Sequence, residues 1–362
     1  MDSIRVGFIG TGRISDLHAL EYLRNPHTRI VALCDSDPGL ASARAGAWGL
    51  DRPVICSDYH ELLALEAVDL VEILLPHHLH PEAALAAFAA GKAVFLQKPI
   101  ALNLADADRV IDAAGQAGVP FRVYENFIFY PPVVTAKALV DEGAIGEPLT
   151  IRLKSNVGRS ETAWPIPKGA QEWRQDPRRS GGGPLLFDDG QHKFAVARHF
   201  MGQAEEVHAW IGSTTAPDGY VFDAPAMVSF LFAGGRCGNL EVVYSPELEI
   251  DAPYYAQDDR VEITGTKGVI WINRGHGRLG EVAPVQLYRD GVTSDYRSME
   301  TGWETSFVHA TRHGIEALRR GEQPRLSGRD AREILRFALA AQESARTGAA
   351  VRLEPDTMES RA

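Results

Sequence analysis

Gln97, Lys98 and Pro99 follow a short apolar run, residues 93–96, and Asp188 and His192 are the first and last residues of the later segment DDGQH. An imidazole can accept a hydroxyl proton while hydride leaves carbon, and a carboxylate can fix the tautomer of that imidazole. An ammonium group can stabilise the developing alkoxide. These residue types suit the oxidation of an alcohol, which makes Lys98, Asp188 and His192 candidate catalytic residues.

The segment VGFIGTGRIS, residues 6–15, predicts a strand, a glycine turn and a helix. Gly10 would make the turn, Gly12 would let a pyrophosphate approach the backbone, and the helix would present free N–H groups to that anion. The second strand ends at Asp35, whose carboxylate can accept hydrogen bonds from both ribose hydroxyls of adenosine and would repel a 2'-phosphate. We therefore predict NAD rather than NADP as the cofactor. The alternative is that Asp35 only caps the next helix.

The elements that must position these residues alternate along the first part of the chain, in the pattern of βαβ units. The predicted strands cover residues 4–9, 30–34, 54–56, 70–75, 93–96 and 121–124. Pro81 and Gly91 bound one helix, and Asn103 caps another over residues 104–116. The sequence thus predicts a Rossmann domain, a doubly wound parallel sheet with Lys98 at its carboxyl edge.

The later part of the chain has longer alternating runs, at residues 149–154, 207–211, 227–232 and 239–244, and then two helical runs, at 304–320 and 330–346. They predict a C-terminal α+β domain with a large, mostly antiparallel open sheet. We place the domains at residues 1–124 and 125–362, with the helix at about 330–346 as a candidate to pack back on the first domain. A helix predicted to begin near Gly190 puts Asp188 in the preceding loop and His192 in the first turn, where both can face a cleft between the domains.

Several further segments span nearly the whole chain: LLPHHLHPEAALAAFAAGKAVFLQKPIA, EGAIGEPLTIRLKS, GGGPLLFDDGQH, ITGTKGVIWI and SARTG. On these segments the sequence resembles the glucose-fructose oxidoreductase, inositol dehydrogenase and rhizopine catabolism family (Gfo/Idh/MocA). The family's strand-end motif is usually Glu-Lys-Pro, and its lysine lies between the nicotinamide and the substrate hydroxyl. The resemblance assigns that role to Lys98 and marks Gln97 as a departure that removes a negative neighbour of the ammonium. DDGQH resembles the family's Asp-x-Gly-x-His, although Ala195 replaces a further aspartate.

The resemblance implies a nicotinamide-dependent oxidoreductase that acts on a secondary hydroxyl of a sugar, sugar derivative or cyclitol. The expected cofactor contacts are Gly10, Thr11, Gly12, Arg13, Ile14, Asp35, Ser36, Pro76, His77, His80, Gln97, Lys98 and Asn126. The expected substrate contacts are Lys98, Tyr124, Trp173, Arg174, Asp188, His192 and Lys193, with Trp303 as a further candidate. Aromatic faces and fixed donors suit polyhydroxylated ligands, and core packing is the alternative for Tyr124, Trp173, Arg174 and Trp303. We also predict that the Lys98-Pro99 peptide is cis.

Composition excludes several classes of partner. The formal net charge of -11 and the lack of a basic stripe interleaved with aromatics argue against nucleic acid. The three cysteines are widely spaced and form no CxxC pair, which indicates reduced thiols. His77, His78 and His80 lie close together, but no cysteine or carboxylate spacing completes a zinc site, and we predict no metal. The absence of a signal peptide and of long apolar runs predicts a cytoplasmic protein without membrane contact.

Three hypotheses of function stay open: a dehydrogenase for a free sugar or inositol, an enzyme with tightly held NAD that oxidises a glycoside at a ring position such as carbon 3, and a non-catalytic nucleotide-binding sensor or repressor. A binder has no need of a base near the nicotinamide, so Lys98, Asp188 and His192 together favour an enzyme. Apolar residues alternate over 227–232 and 239–244, on a sheet face that helices need not cover. We therefore expect a homodimer or homotetramer through that face.

Overall fold

The computed structural model describes residues 3–353. The chain forms two compact units, and the division is not a single cut. Among the described residues, one unit contains residues 3–126 together with Ser306–Leu335, and the other contains Phe127–Thr305 together with residues 336–353. The first unit is therefore completed by a segment that follows most of the second unit in the sequence.

The first unit is built on a six-stranded parallel sheet in the order β3-β2-β1-β4-β5-β6. Its strands are β1 (Ile4–Ile9), β2 (Thr28–Cys34), β3 (Val54–Cys56), β4 (Leu70–Ile73), β5 (Ala93–Gln97) and β6 (Phe121–Tyr124). This is the strand order of a doubly wound dinucleotide-binding fold. The central strands β1 and β4 are almost wholly buried, as expected of a parallel sheet covered on both faces. The predicted Rossmann sheet is confirmed.

Helices connect these strands: α1 (Ser15–Arg24), α2 (Pro38–Ala47), α3 (Tyr59–Leu63), α4 (His80–Ala89) and α5 (Leu104–Ala117). Asn103 caps α5 as predicted, because its side-chain oxygen accepts a hydrogen bond from the Asp106 N–H at 2.9 Å. Gly118 ends the same helix at a φ of +64°, a conformation that favours glycine.

The segment 306–335 closes the open side of β6. The Val123 N–H donates to the Leu326 carbonyl at 3.0 Å, and the Tyr124 hydroxyl donates to the Phe307 carbonyl at 2.8 Å. Two helices carry this part of the chain, α10 (Trp303–Arg320) and α11 (Gly328–Thr347). The sheet of the first unit therefore depends on residues far from it in sequence.

The second unit contains a nine-stranded sheet in the order β16-β15-β14-β13-β7-β12-β11-β8-β17. Its strands are β7 (Pro148–Arg159), β8 (Ala204–Ile211), β11 (Ala226–Phe232), β12 (Arg236–Glu249), β13 (Gln257–Gly265), β14 (Gly268–Ile272), β15 (Val285–Arg289), β16 (Val292–Tyr296) and β17 (Val351–Arg352), and β9 (Thr214–Thr215) pairs separately with β10 (Val221–Phe222). All neighbours in the large sheet are antiparallel except β7 and β12, which run parallel. The predicted large, mostly antiparallel sheet is confirmed.

The helices of the second unit are α6 (Pro131–Asp141), α7 (Lys168–Gln175), α8 (Pro177–Ser180) and α9 (Gly190–Met201). Side chains alternate along β11: Val228 and Phe230 are buried, whereas Met227, Ser229 and Leu231 on the opposite face are partly exposed. One face of the sheet therefore packs in the core and the other meets solvent. In the part of the chain that the structure describes, no helix has both the length and the apolar composition to cross a membrane.

Candidate active site

The turn after β1 has the geometry that a pyrophosphate requires. Gly10 has a φ of +94°, and a Cβ added to it would lie 2.5 Å from the Leu74 carbonyl oxygen, so glycine is the residue that fits. A Cβ on Gly12 would meet no atom within 4 Å. The space beside Gly12 thus suits the close approach of phosphate oxygens to the backbone. Arg13 and Ile14, also predicted to contact the cofactor, lead from this turn into α1.

Asp35 follows β2 and holds the glycine turn. Its Oδ2 accepts hydrogen bonds from the Thr11 N–H at 2.8 Å and from the Thr11 hydroxyl at 3.0 Å. Its Oδ1 accepts one from the Asp37 N–H at 3.1 Å, and the hydroxyl of the exposed Ser36 lies 3.5 Å from the same oxygen. The Asp35 carboxylate is therefore fixed beside the turn while remaining partly exposed, as a ribose-binding carboxylate must be.

The loop after β4 begins with Pro76 and the buried His77 and leads to His80, which is fully buried. His80 Nδ1 lies 2.7 Å from the Pro99 carbonyl oxygen, and His80 Nε2 lies 2.8 Å from the Leu75 carbonyl oxygen. Burial lowers the pKa of His80 to about 3, so the neutral ring donates to only one of these two oxygens. The ring of His80 ties this loop to the Lys-Pro motif.

Lys98 directly follows β5, and its backbone N–H is hydrogen-bonded to the side chain of Gln97, the last residue of that strand. The Lys98 N–H donates to Gln97 Oε1 at 2.7 Å, and Gln97 Nε2 lies 2.8 Å from His18 Nε2. His18 Nδ1 in turn lies 2.5 Å from Glu72 Oε1. The Lys98-Pro99 peptide is cis, as predicted. The side chain of Gln97, predicted to contact the cofactor, is thus engaged with His18 and the Lys98 backbone.

The structure places Asn126 and Tyr124 in the interior of the first unit. Asn126 Nδ2 donates to the Ser306 hydroxyl at 2.6 Å. The Tyr124 hydroxyl lies 2.8 Å from both the Phe307 carbonyl and the Thr311 hydroxyl, and burial raises the pKa of Tyr124. Both side chains are therefore committed to α10, and Tyr124 lines the core of this unit.

Asp188 lies in a π-helical turn, Pro184–Asp189, and not in the loop that the sequence predicted. The carboxylate of Asp223 accepts hydrogen bonds from the Leu185 and Leu186 N–H groups, each at 2.8 Å. This distant residue caps the turn, which explains why the local pattern before Gly190 indicated only a loop.

The structure brings Trp173, Arg174 and Asp188 together, three of the predicted substrate contacts. Arg174 Nε donates to Asp188 Oδ2 at 3.1 Å, and the guanidinium carbon lies 4.3 Å from the centroid of the Trp173 ring. Burial acts to lower the pKa of Arg174, but Asp188 outweighs burial and the net shift is upward. The group thus presents a fixed cation, a paired carboxylate and an aromatic face.

His192 lies in the first turn of α9, which begins at Gly190 as predicted. Its ring stacks on Phe127, with centroids 4.7 Å apart and an interplanar angle of 25°. The Phe127 ring also contacts the Lys193 ammonium at 4.7 Å and the His276 ring at 5.2 Å. Phe127 therefore joins the predicted catalytic histidine to a second group of ionisable side chains.

This second group, the Lys193 ion cluster, consists of Lys193, Asp189, Asp259 and His276. Lys193 Nζ lies 2.8 Å from Asp189 Oδ2 and 3.1 Å from Asp259 Oδ2. His276 Nδ1 lies 3.2 Å from the same Asp259 oxygen. Burial acts to lower the pKa of Lys193, but the two carboxylates outweigh it and the net shift is upward. Lys193, predicted to bind substrate, has its ammonium committed to these carboxylates.

Sequence reasoning missed four polar side chains at the centre of these arrangements: His18, Glu72, Asp259 and His276. Glu72 lies in β4 and Asp259 in β13, and both are buried. A carboxylate inside a strand with apolar neighbours was an available signal, since buried charges are rare unless paired. The two histidines gave no local signal. Trp303 lies against His276, with ring centroids 4.4 Å apart.

Within residues 3–353, no group of three or more His, Cys, Asp or Glu side chains is arranged to hold a metal ion. The chain's three cysteines, Cys34, Cys56 and Cys237, are free thiols.

Two family sequence models match the chain. One, described as "Oxidoreductase family, NAD-binding Rossmann fold", matches residues 4–125. The other, described as "Oxidoreductase family, C-terminal alpha/beta domain", matches residues 137–353. The first match contains the glycine turn, Asp35 and Lys98, and the second contains Asp188 and His192.

Individual proteins resemble the chain over its whole length. D-apiose dehydrogenase of Paraburkholderia graminis is 28% identical, over 96% of this chain and 88% of the relative. Myo-inositol 2-dehydrogenase of Thermotoga maritima is also 28% identical, over 97% of this chain and 99% of the relative. The crystal structure of an NAD binding oxidoreductase from Klebsiella pneumoniae superposes with a TM-score of 0.80 at 25% identity, covering 98% of this chain and all (100%) of the other.

Proposed function

Since the chain belongs to the Gfo/Idh/MocA oxidoreductase family, we propose that it transfers a hydride between NAD and a secondary hydroxyl or ketone of a sugar, sugar derivative or cyclitol. The matches to both family models carry the proposal, because they cover the cofactor turn and the DDGQH segment alike. The names of the relatives, an apiose and an inositol dehydrogenase, support a polyhydroxylated substrate.

The residues have separate roles in this reaction. Gly10 and Gly12 leave room for the pyrophosphate, and Asp35 accepts hydrogen bonds from the adenosine ribose. NAD supplies the hydride acceptor when bound. His192 takes the hydroxyl proton during oxidation, and Lys98 donates a hydrogen bond that stabilises alkoxide character. Asp188, paired with Arg174, fixes a donor and acceptor pair for neighbouring substrate hydroxyls.

A substrate panel tests the proposal. Monosaccharides, inositols and glycosides are assayed with NAD for absorbance of the reduced nicotinamide. On the best substrate, Lys98→Ala and His192→Ala each lower kcat by a factor of about 10² to 10⁴ while NAD affinity changes little. In wild type, kcat/KM for oxidation rises with pH, and His192→Ala lacks that rise.

Two variants serve as controls for these losses. Lys267→Ala removes an exposed lysine in a turn, and His199→Ala removes a partly exposed histidine on the same helix as His192. Both keep near-normal turnover. Normal turnover in both Lys98→Ala and His192→Ala would refute the catalytic roles and favour a nucleotide-binding sensor, whereas activity on glycosides alone would favour the glycoside-oxidising alternative.

We further propose that NAD is preferred over NADP, because the Asp35 carboxylate would face a 2'-phosphate with like charge. Calorimetry with each cofactor measures the preference, and Asp35→Ser narrows it. Tighter binding of NADP to the wild-type chain would refute the assignment.

The open face of the nine-stranded sheet supports a proposal of self-association. Trp210 and Met227 are paired on adjacent strands of this face, and Trp210 is 58% exposed. Leu231, on the same face, is 45% exposed. An apolar patch of this kind suits a homodimer or homotetramer interface. A monomeric mass in light scattering at micromolar protein would contradict it.

The three free thiols accord with a reducing, cytoplasmic compartment.

A further inference from the structure

A series of hydrogen bonds in the first unit connects the side chain of Tyr22 to the backbone N–H of Lys98. The Tyr22 hydroxyl donates to Glu72 Oε2 at 2.7 Å, and His18 Nδ1 lies 2.5 Å from Glu72 Oε1. His18 Nε2 lies 2.8 Å from Gln97 Nε2, and Gln97 Oε1 accepts the Lys98 N–H at 2.7 Å. We call Tyr22, Glu72, His18 and Gln97 the His18 chain. Its first three members are buried, and His18 and Glu72 have no exposed surface.

The direction of every hydrogen bond in the His18 chain follows from one fixed donor. A backbone N–H can only donate, so the Gln97 atom that faces Lys98 is the amide oxygen. The Gln97 amide nitrogen, which can only donate, then faces His18 Nε2, and that nitrogen must carry a lone pair. The ring proton of His18 therefore sits on Nδ1 and points at Glu72.

Other assignments place like groups against each other. A flipped Gln97 amide would turn its NH₂ toward the Lys98 N–H, which is also a donor. A doubly protonated His18 would turn an N–H toward the Gln97 NH₂. Both arrangements leave donors without acceptors in a buried site, where such mismatches are costly. The His18 chain thus has one self-consistent set of hydrogen-bond directions, in which the Glu72 carboxylate is the acceptor for the His18 ring.

The buried carboxylate of Glu72 has a counter-charge in the same sheet. Glu72 pairs in register with Phe95 on the next strand, and Phe95 pairs with Arg122 on the strand after that. Residues in register on parallel strands share a face, so the carboxylate and the guanidinium lie on one face with a phenyl ring between them. The Arg122 guanidinium carbon lies 4.1 Å from the Phe95 ring centroid and 4.8 Å from that of Tyr124.

We infer that Glu72, His18 and Gln97 are positioning residues for Lys98: Glu72 fixes the tautomer of His18, His18 fixes the orientation of the Gln97 amide, and Gln97 holds the Lys98 backbone. His80, on the Pro99 carbonyl, holds the other side of the same turn. The inference rests on the catalytic role proposed for Lys98. A catalytic group must stand within about 0.5 Å of its productive position, so loss of this support reduces turnover.

The direct test is the tautomer of His18, which does not depend on activity. Nuclear magnetic resonance of the full chain with carbon- and nitrogen-labelled histidine, with the His18 signals assigned by their loss in His18→Gln, distinguishes the two neutral tautomers. We expect the Nδ1–H tautomer at neutral pH. An Nε2–H tautomer or a doubly protonated ring would overturn the inference.

Glu72→Gln tests the Glu72 end of the His18 chain with the same nuclear magnetic resonance measurement of the His18 tautomer. An amide can face His18 Nδ1 with its oxygen or with its NH₂, so this variant is expected to show a mixture of His18 tautomers. Tyr22→Phe is the matched control, because it removes the other donor to Glu72 and leaves the His18 contact intact. It keeps the Nδ1–H tautomer. An unchanged tautomer in Glu72→Gln would show that Glu72 does not set it.

Turnover tests the near end. Gln97→Leu removes both amide groups, and kcat is expected to fall about 10- to 100-fold with a smaller change in KM for NAD. Gln97→Glu keeps an oxygen for the Lys98 N–H and retains kcat within about fivefold. Gln116→Leu, an exposed glutamine on α5, leaves kcat unchanged.

Equal losses in Gln97→Leu and Gln97→Glu, or no loss in Gln97→Leu, would refute the positioning role. Thermal melts confirm that each variant is folded. Lys98→Ala separates the two ideas: if it retains turnover, the proposed role of Lys98 fails, while the His18 tautomer still decides whether the chain is oriented as inferred.

Discussion

The His18 chain and the Lys193 ion cluster, one in each unit, both hold a histidine against a buried carboxylate, but they balance it differently. In the first, the Glu72 carboxylate lies within hydrogen-bond distance of the Tyr22 hydroxyl and the His18 imidazole. In the second, the carboxylates of Asp189 and Asp259 share the ammonium of Lys193. The first arrangement is ordered by the direction of its hydrogen bonds, and the second by charge.

The difference predicts where the effect of a substitution appears. A chain of directional hydrogen bonds determines an orientation, so damage to it is expected to lower turnover and to cost less stability than the breaking of an ion cluster. Removing one member of a buried cluster of paired charges is expected to lower the free energy of unfolding, because the remaining charges stay buried without a partner. Damage to the Lys193 ion cluster is therefore expected to lower stability first.

Lys193→Met gives the largest expected effect. It leaves the carboxylates of Asp189 and Asp259 buried without their cation, and we expect the free energy of unfolding to fall by about 3–5 kcal/mol in urea titrations at neutral pH. Lys154→Met is the control, because its pair with Glu241 is exposed and is worth about 0–1 kcal/mol. Similar losses in the two variants would remove the contrast between buried and exposed charges.

Asp258→Asn is expected to stabilise the protein in a pH-dependent way. Asp258 is fully buried beside Asp259, and among the described residues its Oδ1 has no hydrogen-bond partner. Burial, and then the charge of Asp259, raises the pKa of Asp258 to about 7. A carboxyl group whose pKa is higher in the folded state than in the unfolded state destabilises the fold once the pH exceeds the unfolded-state pKa. The destabilisation grows with pH and is fully present above pH 7.

The variant should therefore exceed wild type at pH 8 by up to about 4 kcal/mol, and this advantage should vanish near pH 4. Urea titrations at both pH values measure it. Asp290→Asn, whose side chain is 83% exposed, should show no such trend. An advantage that grows as pH falls would have the wrong sign and would contradict the account.

Tyr22→Phe measures how much a hydrogen bond in the His18 chain contributes to stability, for comparison with the Lys193 ion cluster. It removes one donor to Glu72, and we expect a loss of about 1–2 kcal/mol in the free energy of unfolding, with kcat close to that of wild type. Tyr288→Phe, at an exposed position, is the matched control. A loss as large as that of Lys193→Met would show that the His18 chain is also dominated by charge.

Much of the fold could be predicted because it depends on local patterns. The runs at residues 4–9, 54–56 and 121–124 coincide with β1, β3 and β6 end to end, and the helix expected from Gly190 begins there. The parallel pairing of β7 with β12 could not be predicted, because strand texture does not give partners. The π-helical turn at Pro184–Asp189 depends on Asp223, which is distant in sequence.

The sequence allowed site residues to be proposed mainly inside recognisable motifs. Lys98 and His192 were proposed because short motifs mark them, and Gln97 was marked as a departure from the family motif. Sequence reasoning did not identify the partners of Gln97, His18 and beyond it Glu72, whose contact joins positions 54 residues apart. Such a pair has no signature in a single sequence except that a glutamate interrupts the apolar strand LVEI.

The return of residues 306–335 to the first unit has a consequence for biosynthesis. A nascent chain leaves the ribosome from its N-terminus, and domains usually fold in that order as they emerge. Here β6 lacks its hydrogen bond to Leu326, and Arg122 lacks the Ala310 carbonyl that accepts from it at 2.6 Å, until residues 310–326 have been translated. The nucleotide-binding sheet, although encoded first, therefore gains these contacts only after the second unit's strands up to β16 have been translated, and β17 of the second unit follows later still.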